Sequence, residues 1–265
     1  MPPSGPLRSA GGRRSVTGGV VLLLALASVT NSASASTGAS SLQRVQAAAA
    51  AVPFSLVFQD DFNDSVVDKT AWSIFDGPGN GITGPKSKTN TFTRNGHLVL
   101  RARQINGTWY GAGVSNAKRV KQTYGKYELM VRFDAGKGVR TAGLIWPDVG
   151  WPPEVDFYEI DSEFRTINRL TNHYSTPTTR NAMDHGSYKG DFTQWHRVGL
   201  VWTPTALQYT LDGVVMTTMG TNIPHQDMWF GQNVAFKPGD GGPDGTTPAE
   251  VEVEIDWIKI YSYTP

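Results

Sequence analysis

The sequence predicts an all-β protein in which two packed antiparallel sheets form a β-sandwich. Three observations lead there. Apolar residues recur at every second position in several separate stretches, the signature of half-buried strands. No stretch after residue 54 sustains the i, i+3, i+4 apolar stripe of an amphipathic helix. Finally, 29 Gly and 16 Pro in 265 residues punctuate the chain with turn formers. With 8 Trp, 9 Tyr and 11 Phe there are enough large rings to fill the space between two sheets. Cysteine is absent, which excludes a disulfide scaffold and thiolate metal sites, so the fold rests on its apolar core. Two open sheets fit this pattern better than a closed barrel.

The first segment reads as an address. Arg8, Arg13 and Arg14 form a basic region without acidic residues, an apolar run follows from Val20 to Val29, and Ala33-Ser34-Ala35 supplies a small-x-small cleavage pattern. The run is too short to span a bilayer. Residues 1–35 are therefore expected to be a signal peptide and the protein to be secreted, with no membrane attachment after cleavage. Residues 36–53, rich in Ser, Thr and Ala, read as a flexible leader, and 54–265 as one domain that works as a monomer. Lys+Arg of 24 against Asp+Glu of 23 gives a formal charge of +1, which becomes mildly acidic once the three arginines are removed. A nucleic-acid partner, which calls for a basic excess, is not expected.

Within the domain, Leu98, Leu100 and Ala102 alternate with His97, Val99, Arg101 and Arg103. Tyr127, Leu129, Val131 and Phe133 alternate with Glu128, Met130 and Arg132. Further on, Leu207, Tyr209 and Leu211 run into Asp212-Gly213, a strong hairpin signal. Near the end Val251, Val253 and Ile255 alternate with Glu250, Glu252, Glu254 and Asp256, which reads as an acidic, solvated face.

The chemistry concentrates at Trp151-Pro152-Pro153-Glu154-Val155-Asp156-Phe157-Tyr158-Glu159-Ile160-Asp161-Ser162-Glu163. β-Branched and aromatic neighbours favour a strand here, and proline is tolerated at a strand start. Carboxylates crowded on one face are costly unless solvated, metal-bound or put to use. Hydrolysis of a glycosidic bond with retention uses two of them, one as nucleophile and one as acid/base. A third between them tunes the protonation of the pair. Two registers are open. Glu159, Asp161 and Glu163 share a face by strict alternation. Glu154, Asp156 and Glu159 share one only if a β-bulge inserts one extra residue.

The passage from Leu144-Ile145-Trp146-Pro147 to Glu159 resembles the bulged Glu-x-Asp-x-x-Glu signature of glycoside hydrolase family 16, the laminarinase and lichenase family. The similarity continues in Phe58-Gln59-Asp60-Asp61-Phe62, Asn95-Gly96-His97-Leu98, Tyr124-Gly125-Lys126-Tyr127-Glu128, Trp195-His196-Arg197-Val198-Gly199-Leu200-Val201-Trp202 and Asp256-Trp257-Ile258.

The resemblance implies a concanavalin A-like jelly roll with the substrate cleft on its concave sheet. It implies Glu154 as nucleophile, Asp156 as helper and Glu159 as acid/base. Trp151, Trp146, His173 and Gln232 are the candidate substrate-binding residues, with Asn233 beside Gln232 and with the other tryptophans left as packing or undecided. No cofactor is required for the chemistry. A structural Ca²⁺ is implied at Asp61, Gly96 and Asp256, although Asp61 stands where the family usually has Glu. The implied partner is a polysaccharide, β-1,3- or mixed β-1,3/1,4-glucan, with agarose, carrageenan or a bacterial exopolysaccharide as alternatives. A non-catalytic glucan-binding lectin on the same sandwich would lack the glutamates present here.

Overall fold

A computed structural model describes residues 53–79, 83–236 and 241–265. The signal peptide and nearly all of the leader read from the sequence lie outside the described residues. The first strands are β1 (Phe54–Asp60), β2 (Ser73–Ile74), β3 (Thr91–Arg94), β4 (His97–Ile105) and β5 (Thr108–Tyr110), with a 3-10 turn at Lys88–Asn90. Next come β6 (Ala112–Ser115), β7 (Gly125–Phe133), β8 (Val139–Pro147) and β9 (Glu154–Ile160). They are followed by β10 (Ile167–Tyr174), β11 (Ala182–Lys189), β12 (His196–Thr203) and β13 (Ala206–Leu211). The last are β14 (Val214–Met219), β15 (Met228–Phe236) and β16 (Glu250–Tyr263).

The strands make two antiparallel sheets, as expected. One has the order β14-β13-β12-β7-β16-β4-β3, with β1 on the second half of β16 and β5 on β4. The other has the order β11-β10-β9-β8-β15-β6-β2. Tight turns set the hairpin registers. Asn95-Gly96, Asn106-Gly107 and Asp212-Gly213 all have positive φ at both residues, the geometry of a type I′ turn whose twist matches the flanking strands.

The core lies between the sheets and follows the alternation read from the sequence. On β7, Tyr127, Leu129, Val131 and Phe133 are buried and the residues between them are not. Trp72, 1% exposed, packs edge-on against Phe58 and Phe230 and donates its indole N–H to Asp60 Oδ2 at 2.7 Å.

The acidic face of β16 departs from expectation. Glu252 and Glu254 do point away from the apolar core, yet they are only 8% and 7% exposed. Arginines of neighbouring strands close over them. Arg101 Nε donates to Glu252 at 2.7 Å, Arg132 to Glu254 at 2.8 Å, and Arg94 bonds both. His97 Nδ1 lies 2.8 Å from Glu254. Burial works to raise the Glu254 pKa, but His97, Arg132 and Arg94 outweigh it and hold the carboxyl below its ordinary range. The face is a compact ion cluster rather than a solvated edge.

Candidate active site

β9 holds three of the carboxylates, and its pairing contains one extra residue. Against β8, Leu144 faces Asp156 and Gly143 faces Tyr158, so one step on β8 spans two on β9. Against β10, Thr171 faces Asp156 and Arg169 faces Glu159, two steps against three. The bulge lies at Phe157 and Tyr158, whose side chains are both fully buried in the core. Parity flips there, and Glu159 returns to the face that carries Glu154 and Asp156. Two neighbours accommodate the distortion. A Cβ on Gly143 would stand 2.1 Å from the Tyr158 ring, so only glycine leaves that ring room. Asn168, fully buried, accepts from the Glu159 N–H at 2.9 Å and donates to the Phe157 carbonyl at 3.4 Å. Its side chain serves backbone groups that the bulge takes out of the ladder.

The other register is not assembled. β9 ends at Ile160; Asp161 pairs with Arg169 at 3.2 Å, and Glu163 lies in the exposed turn that follows. Arg165 anchors this end of the strand. Its side chain is 2% exposed and donates to the carbonyls of Asp134, Val139 and Gly136 at 2.7, 2.7 and 3.1 Å. It also donates to Ser162 and Ile160 at 3.2 and 3.3 Å.

Asp156 sits in the middle of the trio at 4% exposure. His173 lies opposite Glu154 on β10, with Nε2 3.3 Å from Asp156 Oδ2 and Nδ1 2.9 Å from Asn181 Oδ1. Thr171, not anticipated from the sequence, donates its hydroxyl to Glu159 Oε2 at 2.7 Å. Trp151 donates its indole N–H to Glu154 Oε2 at 2.7 Å and stacks on Trp146, ring centres 6.1 Å apart and planes 18° off parallel. The Trp146 backbone pairs with Trp229 on β15, which extends the aromatic surface to a residue the sequence alone leaves undecided.

These contacts set the protonation of the cluster. Burial pushes the Asp156 carboxyl up to about 8, opposed by its bond to His173 and reinforced by the charges of Glu154 and Glu159. Burial opposes a charge on His173 as well, but bonds to Asp156 and Asn181 and the carboxylates of Glu154 and Asp156 prevail and raise it to about 9. At neutral pH these shifts favour a protonated Asp156 beside an imidazolium. Burial also raises Glu154, while the Trp151 N–H, the His173 charge and an Asp156 hydrogen bond all pull it back toward ionisation. The ligand atoms of Glu154, Asp156 and His173 lie within 4.8 Å of one another, a spacing these hydrogen bonds account for.

The trio stands between two hollows of about 650 Å³ each. One is lined by Glu154, Trp146, Trp229 and Asn233, the other by Glu159, Arg169, Thr171 and His185. Gln232 needs a correction. On β15 Met228, Phe230 and Val234 face the core, and Gln232 shares their parity. It is 1% exposed and bonds Thr141 Oγ1 at 2.8 Å inside the sandwich. Asn233, one residue on, lines the cleft instead. His196 belongs to the opposite sheet, tied to Asp212 and the Asp191 carbonyl.

The register places the three candidate metal residues along the middle of β16. Asp60 pairs with Ile258, which puts Asp61 beside the middle of β16, and Leu98 pairs with Ile255, which puts Gly96 and His97 near Asp256. Asp256 is skipped in the β16–β7 register, and a Cβ on Gly96 would stand 3.2 Å from Asn63 Oδ1. The two aspartates offer oxygen, the donor calcium prefers, although His97 Nε2 lies 3.8 Å from Asp256 Oδ1 and Gln59 donates to Asp61 Oδ2 at 2.7 Å. Among the described residues, no helix is long and apolar enough to cross a membrane.

Comparison with known proteins bears on this geometry. The family model described as glycosyl hydrolases family 16 matches residues 82–259. An endo-1,3-1,4-beta-glycanase of Rhizobium meliloti (strain 1021) is 28% identical over 195 residues, covering 67% of this chain and 41% of the relative. A keratan-sulfate endo-1,4-beta-galactosidase of Sphingobacterium multivorum is 24% identical over 243 residues, 80% of this chain and 56% of the relative. The chain thus spans about half the length of the curated relatives it matches. The catalytic domain of an endo-1,3-beta-glucanase (laminarinase) from Thermotoga petrophila RKU-1 superposes with a TM-score of 0.67 at 24% identity. That match covers 80% of this chain and 99% of that one, and it shows a shared fold.

Proposed function

The chain belongs to glycosyl hydrolases family 16, and from that membership we propose that it is a retaining endo-hydrolase of β-1,3- or mixed β-1,3/1,4-glucan. The observation that carries this reading is the bulge that returns Glu159 to the face of Glu154 and Asp156, between two hollows on one sheet. Similarity to the Rhizobium meliloti endo-1,3-1,4-beta-glycanase supports the choice of glucan.

In this reading an oxygen of Glu154 attacks the anomeric carbon of the sugar on one side of the scissile bond. Glu159 gives its proton to the departing glycosidic oxygen, and a glycosyl ester forms on Glu154. Glu159, now a carboxylate, takes a proton from a water that attacks the same carbon and releases the sugar with retained configuration. Protonated Asp156 donates to Glu154 and disperses its charge as the ester forms and breaks. The His173 imidazolium keeps a positive charge near the nucleophile. Thr171 orients Glu159, and Trp151 and Trp146 offer flat faces on which sugar rings stack.

The basic and apolar pattern of residues 1–35 supports export, and the domain is read as a secreted monomer. The oxygen donors that Asp61, Gly96 and Asp256 offer support a structural calcium that takes no part in the chemistry.

A reducing-sugar assay on laminarin, lichenan, agarose and carrageenan tests the substrate class, and proton NMR of the first product tests the stereochemistry. Release of β-anomeric ends from laminarin or lichenan is expected. Inertness toward both glucans, or inversion, overturns the reading.

A further inference from the structure

Among the described residues Lys86 is the one cation lining the Glu154 hollow; the mechanism leaves it unused, and its surroundings are unusual for a lysine. Gly77 and Lys86 exchange backbone hydrogen bonds at 3.1 and 2.9 Å, and the flanking Pro85 and Ser87 bond Gly111 at 2.9 and 3.1 Å. The backbone is thereby tied to the sheet on both sides. The side chain is 9% exposed, and its ammonium donates to the Thr83 carbonyl at 2.8 Å. An ammonium has three donors, and among the described residues no carboxylate pairs with this one. Asp76, which lines the same hollow, is engaged by the Lys88 ammonium at 3.3 Å and the Lys88 N–H at 3.1 Å. Burial alone draws Lys86 down to about 8. A desolvated cation is costly to the fold unless paired; the described residues supply this one with no counter-charge, and it stands in the wall of the hollow that also holds Glu154, Trp146 and Trp229.

We propose that Lys86 is a specificity residue that holds an anionic substituent, a carboxylate or a sulfate ester, on a sugar bound along the Glu154 side of the cleft. The proposal rests on the reading of the concave face as the glycan site. The cation is already desolvated and its backbone held, so an arriving oxyanion meets a preorganised partner in a low dielectric. A neutral hexose gains no such pairing.

The test uses three ligands: a mixed-linkage gluco-oligosaccharide, the same molecule with a single 6-carboxylate, and the same molecule with a single 6-sulfate. The quantity read is the ratio of kcat/KM for each charged substrate to that for the neutral one. In the wild type at least one ratio should exceed about 3, and which one does separates carboxylate from sulfate. Lys86→Met should lower that ratio at least about tenfold, and Lys86→Arg should keep it within about threefold. A wild-type ratio of one or below for both substrates overturns the proposal without recourse to any variant. Equal losses on neutral and charged substrates in Lys86→Met overturn it as well. If the wild type cuts none of the three, the hydrolase reading fails, and calorimetric binding of the same ligands to wild type and Lys86→Met decides the role of Lys86 separately.

Discussion

Oε2 of Glu154 accepts a 2.7 Å hydrogen bond from the indole N–H of Trp151, so the side chain stacked on Trp146 also orients the nucleophile of the proposed mechanism. The bond favours the ionised carboxylate, as does the nearby His173 charge.

Loss of either influence should therefore show in the pH profile. Glu154 must be ionised to attack, so kcat/KM rises with pH through its pKa. Trp151→Phe removes a stabiliser of the anion and leaves burial less opposed, which raises that pKa. The acid limb should move to higher pH, and His173→Asn should move it the same way. A limb that stays in place, or moves to lower pH, in both variants would dissociate these residues from the nucleophile.

Azide separates the two glutamate roles. Glu159→Ala should lower turnover of a poor leaving group by about 10²–10⁴-fold yet still form the glycosyl-enzyme from an activated aryl β-glucoside. Azide then attacks that intermediate and gives the β-glucosyl azide. Glu154→Ala has no nucleophile, so azide enters directly from the vacated side and gives the α-azide. Glu163→Ala should keep substantial activity, because Glu163 lies in the turn beyond β9. An α-azide from Glu159→Ala would move the catalytic pair to Glu159 and Glu163.

Arg165 should matter to stability rather than to chemistry. Its replacement by Ala strands at least two of the carbonyls it serves, at about 1–3 kcal/mol each, so about 2 kcal/mol or more should be lost in urea unfolding. For a domain of this size that floor corresponds to roughly 4–8 °C in Tm. Lys has fewer donors and no planar fork, so Arg165→Lys should recover little. A loss below about 1 kcal/mol in the Ala variant would show that water replaces the guanidinium.

Calcium should raise Tm without altering kcat. At a free concentration about a hundred times Kd the stabilisation is about 2.7 kcal/mol, or roughly 5–10 °C. Asp61→Ala should abolish the rise. A wild-type Tm indifferent to both chelator and added calcium would remove the metal from Asp61, Gly96 and Asp256.

Much of the fold was legible because alternation reports burial directly wherever one face is polar, as on β7. Where both faces are apolar it reports nothing, and β15 is the example. Met228, Phe230 and Val234 fill the core while Trp229 and Asn233 line the cleft, and only the backbone register separates the sets. Gln232 was misplaced, and Trp229 overlooked, for that reason. On β16 the outward direction of Glu252 and Glu254 was legible, but the arginines that enclose them lie 122 to 160 residues away in sequence. The carboxylate trio needed the family signature, since strict alternation pointed instead to Glu159, Asp161 and Glu163. Asn168, which serves the bulged backbone, could be found only once the bulge itself was known.

The bulge at Phe157 and Tyr158 makes the two sides of β9 separable. Removal of one of these rings together with its backbone unit would leave Glu154, Asp156 and the following glutamate in plain alternation, still emerging on the cleft side. What would change is the interior, where Phe157 reaches toward Tyr127 and Phe230 while Tyr158 reaches toward Phe133 and over Gly143. The additional residue is thus an investment in the interior: it lets one short strand supply two adjacent rings to the sandwich without disturbing the order of acids outside. Substitutions at Gly143 and Asn168 should accordingly be constrained by the presence of that additional residue, and relaxed in a strand that lacks it.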